Sequence, residues 1–242
     1  MKAMKDYTKR VQRADGFAPA AETQYDQGLR AYLLNVFNYM GGGLALTGIV
    51  AYVTAHTPAL LHAIYGTPLM WLVMLAPLGF VIFFSARIRQ MSYSAAQMTY
   101  WLFAAVMGLS MATIFIAYTG TSIARTFFVT AGVFGAMSLY GHSTKKDLSG
   151  IGNFLFMGLI GIILASLVNI FMKSSGLDFA VSLLGVLIFT GLTAVDVQRI
   201  KRTYYAIDGD MVGKLSIYGA LQLYLDFINL FMMLLRFTGD RR

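Results

Sequence analysis

Between Ala31 and Ala86 the chain runs for 56 residues without a single Asp, Glu, Lys or Arg. A water-soluble helix of a bundle keeps a charged or polar face toward solvent, and no helix drawn from this stretch could have one. Three further charge-free runs follow, Gln90–Ala124, Thr126–Thr144 and Leu148–Met172. A bilayer core of roughly 30 Å is crossed by about 20 apolar residues in a helix, so the runs divide into membrane spans, the longer ones into pairs. Only 12% of the residues are charged and 57% are apolar, where soluble domains carry about 25% charged residues. The expectation is an all-α bundle of seven transmembrane helices.

The spans are expected near residues 31–53, 69–86, 97–118, 123–140, 150–172, 179–200 and 215–237. Residues 1–29 then form a polar cytoplasmic tail and 30–242 the transmembrane domain. The small-residue stretch Ala18–Ala21 precedes the first apolar run, so no cleavable signal peptide is read and the first span is expected to be an uncleaved start-transfer helix. Gly41, Gly42 and Gly43 lie inside it with neither a strand before nor a Lys-Ser/Thr after, which favours close helix packing over phosphate binding. The net charge of +8 is distributed as an insertion signal and not as a nucleic-acid surface. With a cytoplasmic N-terminus, fourteen Lys and Arg fall on the inner side. Arg125, Lys173, Arg236, Arg241 and Arg242 fall on the outer side. That asymmetry is the positive-inside pattern. With no cysteine, disulfides and thiolate metal sites are excluded.

Ten aspartates and one glutamate make up the acidic inventory, and all but two lie in tails or loops. Asp196 and Asp226 fall inside the sixth and seventh spans. An ionised carboxylate at a helix centre costs about 2.5–3.5 kcal/mol on the insertion scale, and such groups normally face a bundle interior. At 100° per residue Tyr218, Gln222, Asp226, Asn229, Met233 and Arg236 share an arc of about 80°, so the last span should be central. Phe189, Thr193 and Asp196 share a face of the sixth, with Arg199 one turn on. The two helices are antiparallel and joined by a short loop, which puts both carboxylates in the same half of the bilayer. Two readings stand at this point. Each aspartate can be a structural partner, Asp196 to Arg199 for instance. Alternatively the two touch, share one proton and titrate as a coupled pair.

The runs Thr190–Arg202 (TGLTAVDVQRIKR) and Tyr218–Phe237 (YGALQLYLDFINLFMMLLRF) resemble the transmembrane Bax inhibitor motif family, the Bax inhibitor-1 family. Within the second run, LYLDFINLF followed by LLR carries most of the likeness, and Lys145–Leu148 (KKDL) fits as well. Bacterial members are the most similar in length, which implies the bacterial cytoplasmic (inner) membrane. The resemblance implies a last helix surrounded by the other six and a di-aspartyl pH sensor at Asp196 and Asp226. It implies a pH-dependent Ca²⁺ leak, with Arg87 as the latch pairing with the sensor in the closed form and Arg89 as the lesser candidate. Some members carry an acid in the second helix. Here that span has Ala76, Pro77 and no acid.

The expected function is a pH-sensitive calcium leak channel, with Gln222, Asn229 and Arg199 supporting the sensor or pore. Calcium takes about six to eight oxygen ligands, so Asp196 and Asp226 with two carboxamides form a weak Ca²⁺ site at most, and no resident cofactor is expected. The alternative is a regulatory membrane protein whose tail engages a membrane-bound AAA protease, as the resemblance implies for some bacterial relatives. An enzyme is not expected. The glycine-rich context of intramembrane aspartyl proteases is absent around both aspartates, and His56, His62 and His142 sit at loops or helix ends.

Overall fold

The computed structural model describes residues 2–206 and 211–242, with side chains from residue 27 onward. Among these, the chain forms α1 (Lys2–His56), α2 (Pro58–Tyr65), α3 (Leu69–Arg87), α4 (Tyr93–Met111) and α5 (Thr113–Ala117). It continues through α6 (Gly120–Ser143), α7 (Ser149–Met172), α8 (Ser175–Tyr205) and α9 (Met211–Thr238). Seven helical segments are long and apolar enough to span a bilayer: Gln27–His56 of α1, α3, α4 with α5, α6, α7, α8 and α9. The architecture is the expected all-α seven-span bundle. Of the polar tail expected over 1–29, the first 26 residues lie outside those whose side chains are described. Asp208 and Asp210 of the expected 201–214 loop lie outside the described residues too.

Helix starts follow local chemistry. Ser92, Thr119 and Ser174 each accept the backbone N–H three residues on, at 3.2, 3.2 and 3.3 Å, which satisfies a donor that the first turn leaves open. Two elements differ from the sequence expectation. The loop after the first span contains α2, begun by Pro58 at a position where a missing N–H costs nothing. The third span is broken at Ala112 into α4 and α5. Tyr65 of α2 supplies the reason the break holds: its hydroxyl donates to Leu109 O at 2.6 Å and Ser110 O at 3.2 Å. A phenol thus serves carbonyls at the break, where an uninterrupted helix would use its own N–H groups.

Two sub-bundles flank one central helix. α1 packs on α4 and α4 on α3, while α8 packs on both α6 and α7. α9 lies between them and packs on α1, α4, α6 and α8. α7 rests chiefly on α8, and α3 reaches α9 through the stacked rings of Phe84 and Tyr218, 6.4 Å apart. The last helix is central, as its polar stripe implied, though four of the six others form its immediate wall. Small residues set these approaches. A Cβ on Gly108 of α4 would lie 2.7 Å from Thr47 O of α1. A Cβ on Gly141 of α6 would collide with the Ala194 backbone of α8. Gly42 and Gly43 face Trp101 and Tyr100, so that cluster is a packing surface.

Polar groups inside the bundle are joined across helices. Thr47 Oγ1 donates to Ala104 O at 2.8 Å, so Tyr224 O–H must be the donor in its 2.7 Å bond to Thr47. One threonine thereby links α1, α4 and α9. Arg87, Arg89, Lys146, Arg199, Arg202 and Lys214 gather at one end of the bundle, called here the basic end.

Candidate functional site

Asp196 and Asp226 meet between α8 and α9. α8 carries Asp196 on the surface it turns to the bundle, flanked by the buried Thr193, Val195 and Val197. α9, apolar on its remaining faces, directs Asp226 inward, where it is 6% exposed. The two carboxyl groups lie within hydrogen-bonding reach of each other. A bond between two carboxyl groups needs a proton on one of them. Asp226 Oδ2 is buried without a hydrogen-bond donor, so no neighbouring N–H or hydroxyl compensates it.

Among the described basic residues, Arg199 is the one bonded to the pair. Its Nη1 stands 3.1 Å from Asp196 Oδ1, one turn along the same helix. The Asp196 side chain is 13% exposed and that of Arg199 59%, so the arginine reaches from a wetter region toward a drier one. Asp196 thus has its i,i+3 arginine and at the same time lies beside Asp226.

The other expected site residues divide. Gln222 lines a cavity of about 610 Å³ at the basic end, one turn of α9 from Asp226, together with Arg199, Tyr218 and Tyr32. Arg89 lines the same cavity. Arg87 is exposed and donates to Gln90 Oε1 at 3.4 Å; it makes no ion pair with either aspartate. Asn229 is turned to its own helix, its Nδ2 donating to Leu225 O at 2.8 Å. Among the described residues no three His, Cys, Asp or Glu side chains come together as a metal-binding group.

Gln198 escaped the sequence reading. Its Oε1 accepts Leu148 N–H at 2.9 Å and its Nε2 donates to Lys146 O at 2.8 Å. The carboxamide thus clamps the α6–α7 loop to the helix that carries Asp196. Around it, Lys201 Nζ donates to His142 O at 2.9 Å. Arg202 pairs with Asp147 at 2.9 Å and donates to Ser149 Oγ at 3.1 Å. A glutamine two residues after Asp196, inside a span, was the available signal. Its partners are backbone atoms of a loop fifty residues away, which no residue pattern encodes.

Comparison with known proteins gives this arrangement a context. A family model described as inhibitor of apoptosis-promoting Bax1 matches residues 29–242. A protein of Rickettsia prowazekii is 48% identical over 240 residues, covering 99% of this chain and 100% of its own length. The inner membrane protein YbhL of Escherichia coli K12 is 49% identical over 219 residues, 89% of this chain and 94% of its own. A membrane protein of Streptococcus pyogenes is 35% identical over 219 residues, 90% and 96% of the two chains. The match begins at the first membrane span and runs through both aspartate-bearing helices to the last residue. Seven spans, a central last helix and this coverage together make the chain a bacterial member of the Bax inhibitor-1 family.

Proposed function

We propose that this protein is a pH-sensitive calcium leak channel of the bacterial inner membrane, with Asp196 and Asp226 as its sensor and no enzymatic activity. The observation that carries the reading is the contact between two carboxyl groups from neighbouring spans, one of them buried with an oxygen that no donor serves. Like charges in such a place cannot both persist cheaply, so the pair holds a proton between its members or separates. Separation of Asp226 from Asp196 is separation of α9 from α8, the central helix from its most extensive neighbour. Proton loss is in this way converted into helix movement. Positive-inside orientation puts the basic end in the cytoplasm, and the 610 Å³ cavity beside Gln222 becomes a cytoplasmic vestibule.

Arg199 holds Asp196 in the state seen here, and Arg87, with only an exposed 3.4 Å bond to Gln90, is the arm available to the pair in another state. Calcium is the cargo. Two carboxylates with Gln222 give it a weak, transient stop, which suits passage better than retention.

The test is Ca²⁺ flux into liposomes carrying the purified protein, measured from pH 5 to pH 8. Wild-type flux should change with pH, and Asp196→Asn or Asp226→Asn should flatten that response. If both variants keep the wild-type profile, the sensor assignment fails. A wild-type protein that passes no Ca²⁺ at any pH removes the channel reading altogether.

A further inference from the structure

Toward the end opposite the basic one, α1 and α6 both pack along α9 but make no extended contact with each other. The gap between them is an apolar groove of about 440 Å³, within the range of volumes that take a small ligand. One wall is a stripe of α1 at four-residue steps, Leu44, Gly48, Tyr52 and His56, on one helix face. The other wall is Gly120, Ala124 and Phe127 of α6, and the floor is Phe227, Ile228 and Phe231 of α9. Tyr52, Phe127 and Phe128 on its margins are exposed, so the groove opens sideways, toward what would be bilayer hydrocarbon.

The polar groups that line it are also informative. No acid is among them. Thr47 is already bonded to Ala104 and Tyr224. That leaves Arg242, His56 and the hydroxyl of Tyr52 on the margin. His56 Nδ1 is engaged with Tyr52 O at 2.8 Å, so Nε2 is the remaining hydrogen-bonding atom of its ring. Arg242 is held by its own backbone N–H donating to Ala117 O at 3.0 Å, which leaves the guanidinium available. A long apolar trough with a cationic group and an imidazole matches one kind of molecule that a bilayer supplies in quantity. We propose that the groove holds one acyl chain of a phospholipid, with the phosphate of its headgroup against Arg242 and His56.

Two glycine positions make the proposal testable without a steric clash inside the protein. A Cβ on Gly48 meets nothing within 4 Å, and the same is true of Gly132, which lies on α6 outside the groove. Purified protein is reconstituted in a mixture of palmitoyl-oleoyl phosphatidylglycerol and phosphatidylethanolamine, extracted into detergent and examined by native mass spectrometry. The wild type should retain one phospholipid. Gly48→Leu should lower that retention about tenfold, and Ala124→Leu, filling the groove from the other wall, should do the same. Gly132→Leu should leave it unchanged. Arg242→Gln should keep the adduct and lose its preference for phosphatidylglycerol. Should Gly48→Leu not fold, Ala124→Leu carries the same inference from α6. The proposal is overturned by equal retention in the wild type and both groove-filling variants, by a wild type without bound lipid, or by an adduct of detergent or free fatty acid alone.

Discussion

α7 and α9 are both long helices in the same bilayer, yet their relation to the rest of the molecule is opposite. Only 6% of the most apolar stretch of α7 is buried, against 61% of that of α9. The peripheral helix is the more apolar of the two, with Phe154, Ile170 and Phe171 turned outward. The central one carries Gln222, Tyr224, Asp226 and Asn229. In water the order would be reversed. In lipid, tails are as apolar as leucine, so burial is decided by packing and by polar groups that need a partner. A bundle of this kind is therefore sorted by its few polar side chains and its glycines, and its most apolar residues report the lipid boundary.

The largest test of that contrast is a pair of aromatic truncations. Tyr224 on α9 is fully buried and bonded to Thr47; Phe171 on α7 is 87% exposed. Tyr224→Ala should cost about 3 kcal/mol, because a cavity opens among α1, α4 and α9 and Thr47 loses its donor. Phe171→Ala should stay within about 0.5 kcal/mol. Thermal unfolding in a single detergent, followed by loss of the monodisperse species, measures both. Comparable losses in the two variants would mean that α7 is buried against something, such as a second copy of the chain.

A smaller effect concerns how α7 is held at all. It packs chiefly on α8, and its first turn follows the loop that Gln198 clamps. Gln198→Ala leaves Leu148 N–H buried without a partner, at a cost of about 2 kcal/mol. The expected readout is faster trypsin cleavage after Lys145 or Lys146, with α9 contacts unaffected. Unchanged cleavage would show that the Arg202–Asp147 pair suffices to hold the loop.

These contrasts also show what the amino-acid pattern could and could not reveal. Charge-free runs outlined the first five spans because desolvating a charge is costly wherever the helix sits. The central place of α9 was legible from the step of Tyr218, Gln222 and Asp226, since a polar stripe in lipid must face protein. The break at Ala112 was not legible: it is held by a tyrosine from α2, a segment that reads as a loop. Asn229 sits on the expected face but bonds its own helix, at Leu225 O one turn back. The choice of Arg199 over Arg87 depends on where α3 packs, at the rim of the bundle and touching α9 through Phe84. That is a tertiary fact. Spacing offered Arg199, and the family resemblance offered Arg87.

Next in size is a gain. Asp226→Asn should stabilise the protein by about 1–2 kcal/mol at pH 8. A neutral amide replaces a group that no donor serves, and it can itself donate to Asp196. The gain should shrink as pH is lowered and the native pair takes up a proton. Thermal midpoints of both proteins at pH 8 and pH 5 decide this. A loss of stability at pH 8 would identify the carboxylate as a structural anchor and weaken the sensor reading, while an unchanged midpoint would place Asp226 in water.

The smallest expected effect separates the two acidic sites of α8's surroundings. Asp147, in the loop at the basic end, accepts Ser149 N–H at 2.8 Å and pairs with Arg202 at 2.9 Å. The hydrogen bonds from Ser149, then that from Arg202, hold its carboxyl down at about 2. A carboxyl depressed on folding contributes stability that is complete above its ordinary value of 3.8 and is lost as pH falls through about 2. Asp147 is therefore ionised throughout the pH 5–8 window and its state does not change there. Asp147→Asn should leave the pH profile of Ca²⁺ flux in liposomes superimposable on the wild type, even though it removes the nearest exposed ion pair to the Gln198 clamp. If instead that variant shifts the profile, the proton-sensitive element lies in the loop between α6 and α7, and the contact between Asp196 and Asp226 is architecture.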